Sequence, residues 1–227
     1  MTNSLNAYGI IWDMDGVLID TADAHFHAWQ QALFPYQVDF TRQYFDDTFG
    51  INNDSLLADI FGEKLDRVTL EVISRQKEEL YRDAIKKEFK IYAGVINLLR
   101  DCQAAGFKQA IASSAPMENI AAVMQLSTLR PYFDQIISSA QMASKRNPEA
   151  YLAATTALKL QPANCLVIED SLLGIEGAKK AGTKCIAIAS THPVKKLTKA
   201  DVVVKAVADL TLATILTTLN IKRKQDE

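Results

Sequence analysis

The sequence predicts an α/β fold, a Rossmann-like doubly wound parallel sheet with an inserted all-helical subdomain. Three observations lead to this fold class. A short apolar run from Tyr8 to Trp12 ends in a polar turn, which is typical of a buried strand in a parallel sheet. From Tyr92 onward, short apolar runs alternate with helical stretches. Residues 36–91, in contrast, show helical periodicity with almost no strand signal.

Two acids and a glycine, Asp13, Asp15 and Gly16, follow the first strand. Open α/β sheets bind ligands in the crevice beyond the carboxyl ends of their strands, where these residues are expected to lie. Two carboxylates so close together are costly without a cation, and glycine permits the tight turn that an approaching anion needs. Taken alone, the three residues fit an ordinary polar turn equally well.

The predicted insert is polar and charged, and its longest helix carries apolar residues at helical spacing along one face. A segment of about 70 residues is a reasonable size for a small subdomain. The predicted helices in this part of the chain are Ala22–Leu33, capped by Asp20 or Thr21, then Asp54–Phe61 and Val68–Lys87.

After the insert, glycine, proline and asparagine residues mark the boundaries of a regular α/β pattern. The predicted strands are 109–113, 134–138, 165–169, 184–189 and a short edge strand at 201–204. The predicted helices are 93–105, 116–126, 147–158, 172–181 and 208–219, followed by a charged tail at 222–227.

Polar residues that could take part in catalysis or in ligand binding lie at or near the ends of several predicted strands. Because the carboxyl ends of parallel strands meet at one edge of a sheet, we expect these residues to lie close together. They supply carboxylates, hydroxyls and one ammonium group. They are Asp13 and Asp15 after the first strand, Ser113 and Ser114 at the end of the second, Glu169 and Asp170 at the end of the fourth, and Lys145 before the helix at 147–158.

This set of side chains is typical of phosphoryl transfer with Mg²⁺. Carboxylates are the hard oxygen ligands that Mg²⁺ prefers, and the ion would relieve repulsion among Asp13, Glu169 and Asp170. A carboxylate held beside the metal can attack phosphorus and form an aspartyl-phosphate, and Asp13 is the candidate nucleophile. Asp15, two residues later, is the candidate general acid and base.

Hydrogen-bond donors for the phosphate complete the predicted site. Ser113 and Lys145 are expected to hold the remaining phosphate oxygens. Each residue also has an ordinary explanation, since Ser113 fits a turn serine, Lys145 a solvated lysine, and Glu169 with Asp170 a helix-capping acid pair. The arrival of all of them at successive strand ends favours a shared site.

The motifs around these residues resemble those of the haloacid dehalogenase superfamily, in the branch that holds β-phosphoglucomutase and related phosphatases. The resemblance covers nearly the whole chain and implies that Asp13 is the nucleophile and Asp15 the acid/base. It also implies that Ser113, Ser114 and Lys145 bind the phosphoryl group, and that Asp13, the main-chain carbonyl of Asp15, and Glu169 or Asp170 hold Mg²⁺. Where the family usually has proline after the motif lysine, this chain has Arg146. The motifs are Asp13-Met-Asp-Gly-Val17, Ile111-Ala-Ser-Ser114, Lys145-Arg-Asn-Pro-Glu-Ala-Tyr151 and Glu169-Asp-Ser-Leu-Leu-Gly-Ile175 with Ala181-Gly182.

The resemblance further implies that the insert is a helical cap. Such caps close over the site, exclude water and present the side chains that select the substrate. The expected division is an α/β core of residues 1–18 and 92–227 and a cap of residues 19–91. The expected hinges lie near residues 18–21 and 89–93.

The cap residues bear on whether the enzyme is a phosphatase or a mutase. His25 and Lys77 match a histidine and a cap lysine of the mutase, although a polar helix residue and a solvated charge are alternative explanations. Asn52 or Asn53 stands approximately where the mutase has an arginine, and Phe49 where it has a lysine. A mutase must hold the second phosphate of a bisphosphate, and an amide lacks the charge-assisted contact of a guanidinium.

We therefore expect a Mg²⁺-dependent phosphatase of small phosphorylated metabolites, with sugar phosphates as the expected class. The alternative is a β-phosphoglucomutase-type phosphohexomutase. A non-catalytic binding or regulatory protein is a more remote alternative, because binding alone does not require the two aspartates. A dehalogenase is disfavoured, because Asp15 and the acid pair Glu169 and Asp170 fit Mg²⁺-dependent chemistry better.

Composition limits the partners. The net charge of −2, from 25 basic and 27 acidic residues, gives no electrostatic basis for binding nucleic acid or an anionic membrane. The three cysteines lie far apart in apolar segments and are expected to be buried thiols in a reducing cytosol. No signal peptide is expected from residues 1–7, and no apolar run is long enough to predict a membrane-spanning helix. A cytoplasmic monomer or weak dimer that acts on a small phosphorylated metabolite is the resulting expectation.

Overall fold

The computed structural model describes residues 5–142 and 145–221, and the predicted tail at 222–227 lies outside them. Eight strands and nine helices lie within the described residues. The strands are β1 Gly9–Trp12, β2 Ile19–Asp20, β3 Lys90–Ile91, β4 Lys108–Ser113, β5 Gln135–Ser138, β6 Cys165–Glu169, β7 Lys184–Ile188 and β8 Val202–Val204. The helices are α1 Ala22–Leu33, α2 Arg42–Thr48, α3 Asn53–Phe61, α4 Arg67–Lys87, α5 Val95–Ala105, α6 Met117–Leu126, α7 Glu149–Ala157, α8 Leu172–Lys180 and α9 Leu212–Thr218.

Six strands form a parallel sheet in the order β5-β4-β1-β6-β7-β8, which confirms the predicted α/β fold class. The first strand in sequence lies inside the sheet, between β4 and β6. Its register places Trp12 beside Ile111 and Ile168. Asp13, Ser113 and Glu169 follow within one or two residues of these partners, so the three strands deliver their polar ends to the same edge.

The sheet separates two apolar clusters, as expected for a sheet covered by helices on both faces. Successive side chains of β1 alternate between them: Ile10 and Trp12 belong to one cluster and Ile11 to the other. All three are fully buried. At about 25 cal/mol per Å² of buried apolar surface, such side chains contribute about 1.5–3 kcal/mol each, so β1 is fixed firmly under its polar end.

Helices α1–α4 form a separate apolar cluster around Trp29, Leu33, Phe45 and Ile73. The chain enters this helical insert through β2 and leaves it through β3, and these two short strands pair in antiparallel orientation. The pairing lies where the predicted hinges were placed, but strands were not expected there. Among the described residues, no helix combines the length and the apolar character needed to cross a membrane.

Two details of helix starts differ from the sequence prediction. Thr21 occupies the N-cap position of α1, but its side chain makes no capping hydrogen bond because its hydroxyl donates to Asp15 instead. The last helix begins at Leu212 rather than at residue 208. Thr211 caps it by accepting from the Thr214 amide, while Val207–Asp209 form a 3₁₀ turn that Asp209 stabilises.

Candidate active site

Asp13 continues the central strand into the site. Its amide donates to the carbonyl of Ile168 at 2.9 Å, which keeps its backbone in the register of the sheet. Its Oδ1 accepts a hydrogen bond from the amide of Met14 at 2.8 Å, and only 4% of the residue is exposed. Backbone hydrogen bonds therefore fix the Asp13 carboxylate in a position that is almost completely buried.

Gly16 brings the loop after β1 close to the loop after β6. Its φ of +83° lies in the left-handed region, and a Cβ there would stand 2.0 Å from Oδ2 of Asp170. A side chain at this position would push Asp170 away, so glycine is required both for the turn and for the close approach. Ser190 holds the turn by donating from its hydroxyl to the carbonyl of Gly16 at 2.6 Å.

Lys145 is the cation of the site. Its Nζ lies 2.6 Å from Oδ1 of Asp13 and 2.9 Å from Oε1 of Glu169, and 4% of the residue is exposed. Burial opposes the charged form, but these two carboxylates outweigh it and hold the pKa of Lys145 above its usual range. Arg146 is largely exposed, with its Nε 3.5 Å from Glu176, so this departure from the family pattern leaves Lys145 in reach of Asp13.

Glu169 is fully buried and accepts five hydrogen bonds. Oε1 accepts from Lys145 and from the Tyr151 hydroxyl, both at 2.9 Å. Oε2 accepts from the Asp170 amide and from the amide and hydroxyl of Ser171, at 2.8–3.0 Å. Burial opposes ionisation, yet Lys145 outweighs it and lowers the pKa of Glu169. Its role here is to fix Lys145 and the loop after β6.

Asp170 differs from Glu169 in two ways: it lines the cavity, and its pKa is shifted in the opposite direction. Its Oδ2 accepts from the Thr191 hydroxyl at 2.7 Å, and the residue lines the cavity described below. Burial, followed by repulsion from Glu169, raises the pKa of Asp170 to about 7. Asp13 shows the same pattern, because burial and then Glu169 raise its pKa well above the usual range despite Lys145.

The acids fit a divalent cation. Oxygen atoms of Asp13, Glu169 and Asp170 lie within 4.8 Å of one another, with one ammonium among them. Burial, and after it repulsion from Glu169, raises the pKa of both Asp13 and Asp170, so a cation bound beside them would favour their charged forms. Carboxylates in this arrangement suit Mg²⁺. Of the two acids left open by the sequence, Asp170 lines the cavity, whereas both oxygens of Glu169 are already hydrogen bonded.

Asp15 is held by three donors that all reach the same oxygen. Its Oδ1 accepts from the Thr21 hydroxyl at 2.5 Å and lies 3.4 Å from both Nε2 of His25 and the Tyr81 hydroxyl. Burial opposes ionisation, but the hydrogen bonds from His25 and Thr21 outweigh it and lower the pKa of Asp15. The residue also lines the cavity described below.

His25 connects Asp15 to the helical insert. Its ring stacks on Tyr81 with 4.0 Å between centroids, and its Nδ1 lies 3.0 Å from Nζ of Lys77. Because the Lys77 ammonium can only donate, Nδ1 of His25 is the acceptor. Nε2 therefore carries the proton and donates the hydrogen bond to Asp15. Burial and then Lys77 lower the pKa of His25, which is consistent with this neutral tautomer.

The network continues from Lys77 back to the core. Lys77 forms a buried ion pair with Glu78 at 2.8 Å. Oε1 of Glu78 also accepts from Asn53 at 2.6 Å, and Oε2 accepts from Asn119 on α6. Asn119 in turn accepts from Arg82 at 2.8 Å. A continuous set of polar contacts therefore runs from the end of β1, through the insert, to a core helix.

The insert and the strand ends enclose a cavity of about 50 Å³. Asp13, Asp15, Lys145 and Asp170 line it from the core, and Ser114 lines it from the loop after β4. Ser113 is buried, and its Oγ accepts from the amide of Ala115 at 3.1 Å. The predicted insert residues all reach this cavity: His25, Asn52, Asn53 and Lys77.

Asn52 and Asn53 already have structural partners. Asn52 caps α3 by accepting from the Ser55 amide at 3.0 Å, and its Nδ2 lies 3.5 Å from the carbonyl of Met142 in the core. Asn53 donates to Ser74 and Glu78. Both side chains line the cavity while serving the fold, and their roles toward a substrate stay predictions.

Several residues of the site were missed by sequence reasoning. Glu78, Tyr151 and Thr191 each make a buried or half-buried contact with one of the predicted residues, and Asn119 contacts Glu78. Tyr151 falls inside a motif quoted above, which is a signal that was available. Glu78 and Asn119 lie on helices with nothing in the local sequence to mark them.

Comparison with known proteins places the chain in a family. The family model for haloacid dehalogenase-like hydrolases matches residues 10–188. The β-phosphoglucomutase of Bacillus subtilis is 29% identical over 211 residues, which cover 89% of this chain and 91% of that protein. A phosphorylated carbohydrates phosphatase of Thermotoga maritima is 30% identical over 179 residues, 78% of this chain and 82% of that one. The crystal structure of β-phosphoglucomutase from Clostridium difficile superposes with a TM-score of 0.86 at 25% identity, covering 94% of this chain and 97% of that one.

This chain therefore belongs to the family of haloacid dehalogenase-like hydrolases. Its relatives include a mutase and a phosphatase at similar identity, so the family implies an enzyme that acts on phosphate esters, and the choice between the two reactions depends on the site.

Proposed function

We propose that the protein is a Mg²⁺-dependent phosphatase of small phosphorylated metabolites, sugar phosphates in particular, that works through an aspartyl-phosphate. The observation that carries the proposal is the buried group of Asp13, Asp170 and Lys145 at the end of the central strand, next to Asp15. This group combines a nucleophile, an excess of negative charge that suits Mg²⁺, and a cation for the phosphate.

Asp13 is the proposed nucleophile. The Met14 amide and Lys145 both contact its Oδ1, so Oδ2 is the oxygen assigned to attack phosphorus. The Oδ2–phosphorus bond forms as the ester oxygen–phosphorus bond breaks, and the leaving oxygen takes a proton from Asp15. Asp13, the main-chain carbonyl of Asp15 and Asp170 would hold Mg²⁺, which would supply neutralisation of the charge on the phosphoryl oxygens.

In the second half-reaction a water molecule attacks phosphorus and gives a proton to Asp15, and the bond to Asp13 breaks. His25 and Thr21 outweigh burial and lower the pKa of Asp15, so its carboxylate is ionised and able to accept this proton. A bound phosphate carries the same sign of charge as the Asp15 carboxylate and is expected to raise the pKa of Asp15. This favours the protonated form that the first half-reaction requires. Ser113, Ser114 and Lys145 are the proposed donors to the phosphoryl oxygens.

The helical insert of residues 19–91 is the proposed cap. The cavity of about 50 Å³ is far smaller than the sites of about 300–1,000 Å³ that bind small-molecule ligands. A sugar phosphate therefore enters only if the insert and the core separate. The paired strands β2 and β3 are the proposed hinge, because the chain crosses between the two parts there.

The phosphatase is preferred to the mutase because of the residues opposite the acids. Phe49, Asn52 and Asn53 supply an aromatic ring and two amides where the resemblance places the mutase cations. The mutase is kept as the second candidate because His25 and Lys77, which match its residues, are in contact with each other and with Asp15.

The test is a product assay with two readouts. Purified protein with Mg²⁺ is incubated with a panel of sugar phosphates that includes β-glucose 1-phosphate with a trace of the 1,6-bisphosphate, and free phosphate and glucose 6-phosphate are followed together. We expect free phosphate without isomerisation, and no turnover by Asp13→Asn or in the presence of a chelator. Glucose 6-phosphate with little free phosphate would establish the mutase instead.

A further inference from the structure

The insert offers the cavity little net positive charge. Among the lining residues that the structure describes, Lys77 is the one lysine or arginine from residues 19–91. Its neighbours on this wall include Trp29, Phe49 and Leu56, which are apolar, and the amides of Asn52 and Asn53. Any recognition of a second anionic group on the substrate would therefore depend on Lys77.

The charge of Lys77 is already used. Its Nζ lies 2.8 Å from Oε1 of Glu78 and 5.2 Å from the centre of the Trp29 ring, and 3% of Lys77 and 5% of Glu78 are exposed. An ion pair in such a place is poorly screened by water, so the two charges largely offset each other toward a ligand. A second phosphate brought to this wall would meet a carboxylate beside the ammonium.

Glu78 is held firmly in this position. Asn53 donates to its Oε1 from the insert, and Asn119 donates to its Oε2 from core helix α6. Burial opposes its ionisation, but Lys77 outweighs burial and lowers the pKa of Glu78, so the carboxylate is charged at neutral pH. The offset is therefore a fixed part of the closed site.

We propose that Glu78 is a specificity-determining residue: by offsetting the charge of Lys77, it restricts the site to monophosphates whose remaining part is neutral and excludes substrates with a second phosphate or a carboxylate. The proposal rests on the function proposed above and narrows its substrate class. Glu78 would act by repulsion: a monophosphate gains no contact from it, whereas a second anionic group on the substrate meets its negative charge. The aromatic ring and the amides of the same wall suit a hydroxylated, uncharged group.

The test uses Glu78→Gln, which keeps the shape of the side chain and removes its charge. The matched control is Glu79→Gln, the same change one residue later on the exposed side of α4. For each protein, kcat/KM is measured with glucose 6-phosphate and with glucose 1,6-bisphosphate. Dissociation constants for both ligands are measured calorimetrically in the Asp13→Asn background, where turnover cannot interfere.

A charge-assisted hydrogen bond is worth about 1.5–3 kcal/mol, so freeing Lys77 is expected to improve binding of the bisphosphate relative to the monophosphate by about tenfold or more. Glu79→Gln is expected to leave the ratio unchanged. An unchanged ratio in Glu78→Gln, with a cooperative thermal transition showing that the variant is folded, overturns the inference.

Two further outcomes keep the proposals separate. If the wild-type protein releases no phosphate from any monophosphate, the proposed function fails, while the ratio of dissociation constants still decides the role of Glu78. If Glu78→Gln does not fold, Lys77→Gln/Glu78→Gln replaces the ion pair by two amides. If the ratio of the dissociation constants for bisphosphate and monophosphate in this double variant stays within about threefold of wild type, the charges of Lys77 and Glu78 offset each other, since a threefold change is well under 1 kcal/mol. Loss of discrimination contradicts this offset.

Discussion

Asp170→Asn is expected to make the metal-free protein more stable at neutral and alkaline pH. In the folded protein, burial and repulsion from Glu169 raise the pKa of Asp170 from an ordinary value of 3.8 to about 7. The folded state therefore binds this proton more tightly than the unfolded state does. Stability that depends on it is present below pH 4 and is lost as the pH rises through the folded pKa.

The magnitude follows from the size of the change in pKa. At 1.36 kcal/mol per pKa unit, ionising Asp170 in the fold costs about 4 kcal/mol when it is complete, above about pH 7. Asparagine avoids this cost, and its carbonyl can still accept the hydrogen bond from Thr191. The variant is thus expected to gain stability progressively between about pH 4.5 and 8, relative to wild type.

The assay is urea unfolding at a series of pH values in a chelating buffer, for wild type and Asp170→Asn. Asp39→Asn, the same change at an exposed carboxyl, is the control and is expected to follow wild type. Saturating Mg²⁺ at pH 8 should stabilise wild type by about 2–4 kcal/mol at 100–1,000 times its dissociation constant, and the variant much less. If the wild-type and Asp170→Asn curves run parallel from pH 5 to 8 in chelator, the raised pKa of Asp170 that is assigned to burial and to repulsion from Glu169 is refuted.

Two other substitutions test the same region. Lys145→Ala leaves the buried carboxylates of Asp13 and Glu169 without their cation, so it is expected to lower the free energy of unfolding in chelator by about 3–5 kcal/mol. The control, Lys64→Ala, changes an exposed lysine and should have little effect. A loss as small as that of the control would contradict the pairing. Gly174→Ala places a Cβ 2.0 Å from the Glu169 carboxylate. It is expected to lower the free energy of unfolding in urea by about 1–3 kcal/mol, and to lower kcat/KM because Glu169 would displace Lys145. Wild-type values of both quantities would show that the close approach is unnecessary.

The parts of the fold that the sequence predicts well are those with a strong local pattern. The runs that became β1 and β6 are buried at every position, carry one charged residue (Glu169, at the end of β6) and are bounded by turn residues, so their burial and parallel pairing follow from composition and order. Helix α2 was not predicted, because seven residues are too few to display a clear periodicity. Strands β2 and β3 are two residues each, and they exist only because the chain passes in and out of the insert side by side.

The candidate site divides in the same way. Asp13, Asp15, Lys145 and Asp170 were predicted because strand ends in a parallel sheet share one edge, and the structure brings these residues together. Glu78 could not be distinguished from Glu79 in the sequence, since both are charges on the same helix. Its burial depends on how α4 packs against α6, a contact between segments about 40 residues apart along the chain.

The polar network gives the insert a direct influence on Asp15. The carboxylate receives hydrogen bonds from Thr21, His25 and Tyr81, and these three residues lie on or next to helices of the insert. His25 in turn contacts Lys77, whose partner Glu78 is bonded to Asn119 in the core. Moving the insert away from the core would break the Glu78–Asn119 bond and the donors to Asp15 in the same step. Since those donors oppose burial and lower the pKa of Asp15, the arrangement of insert and core in this structure keeps a buried Asp15 ionised, as the proposed base role requires.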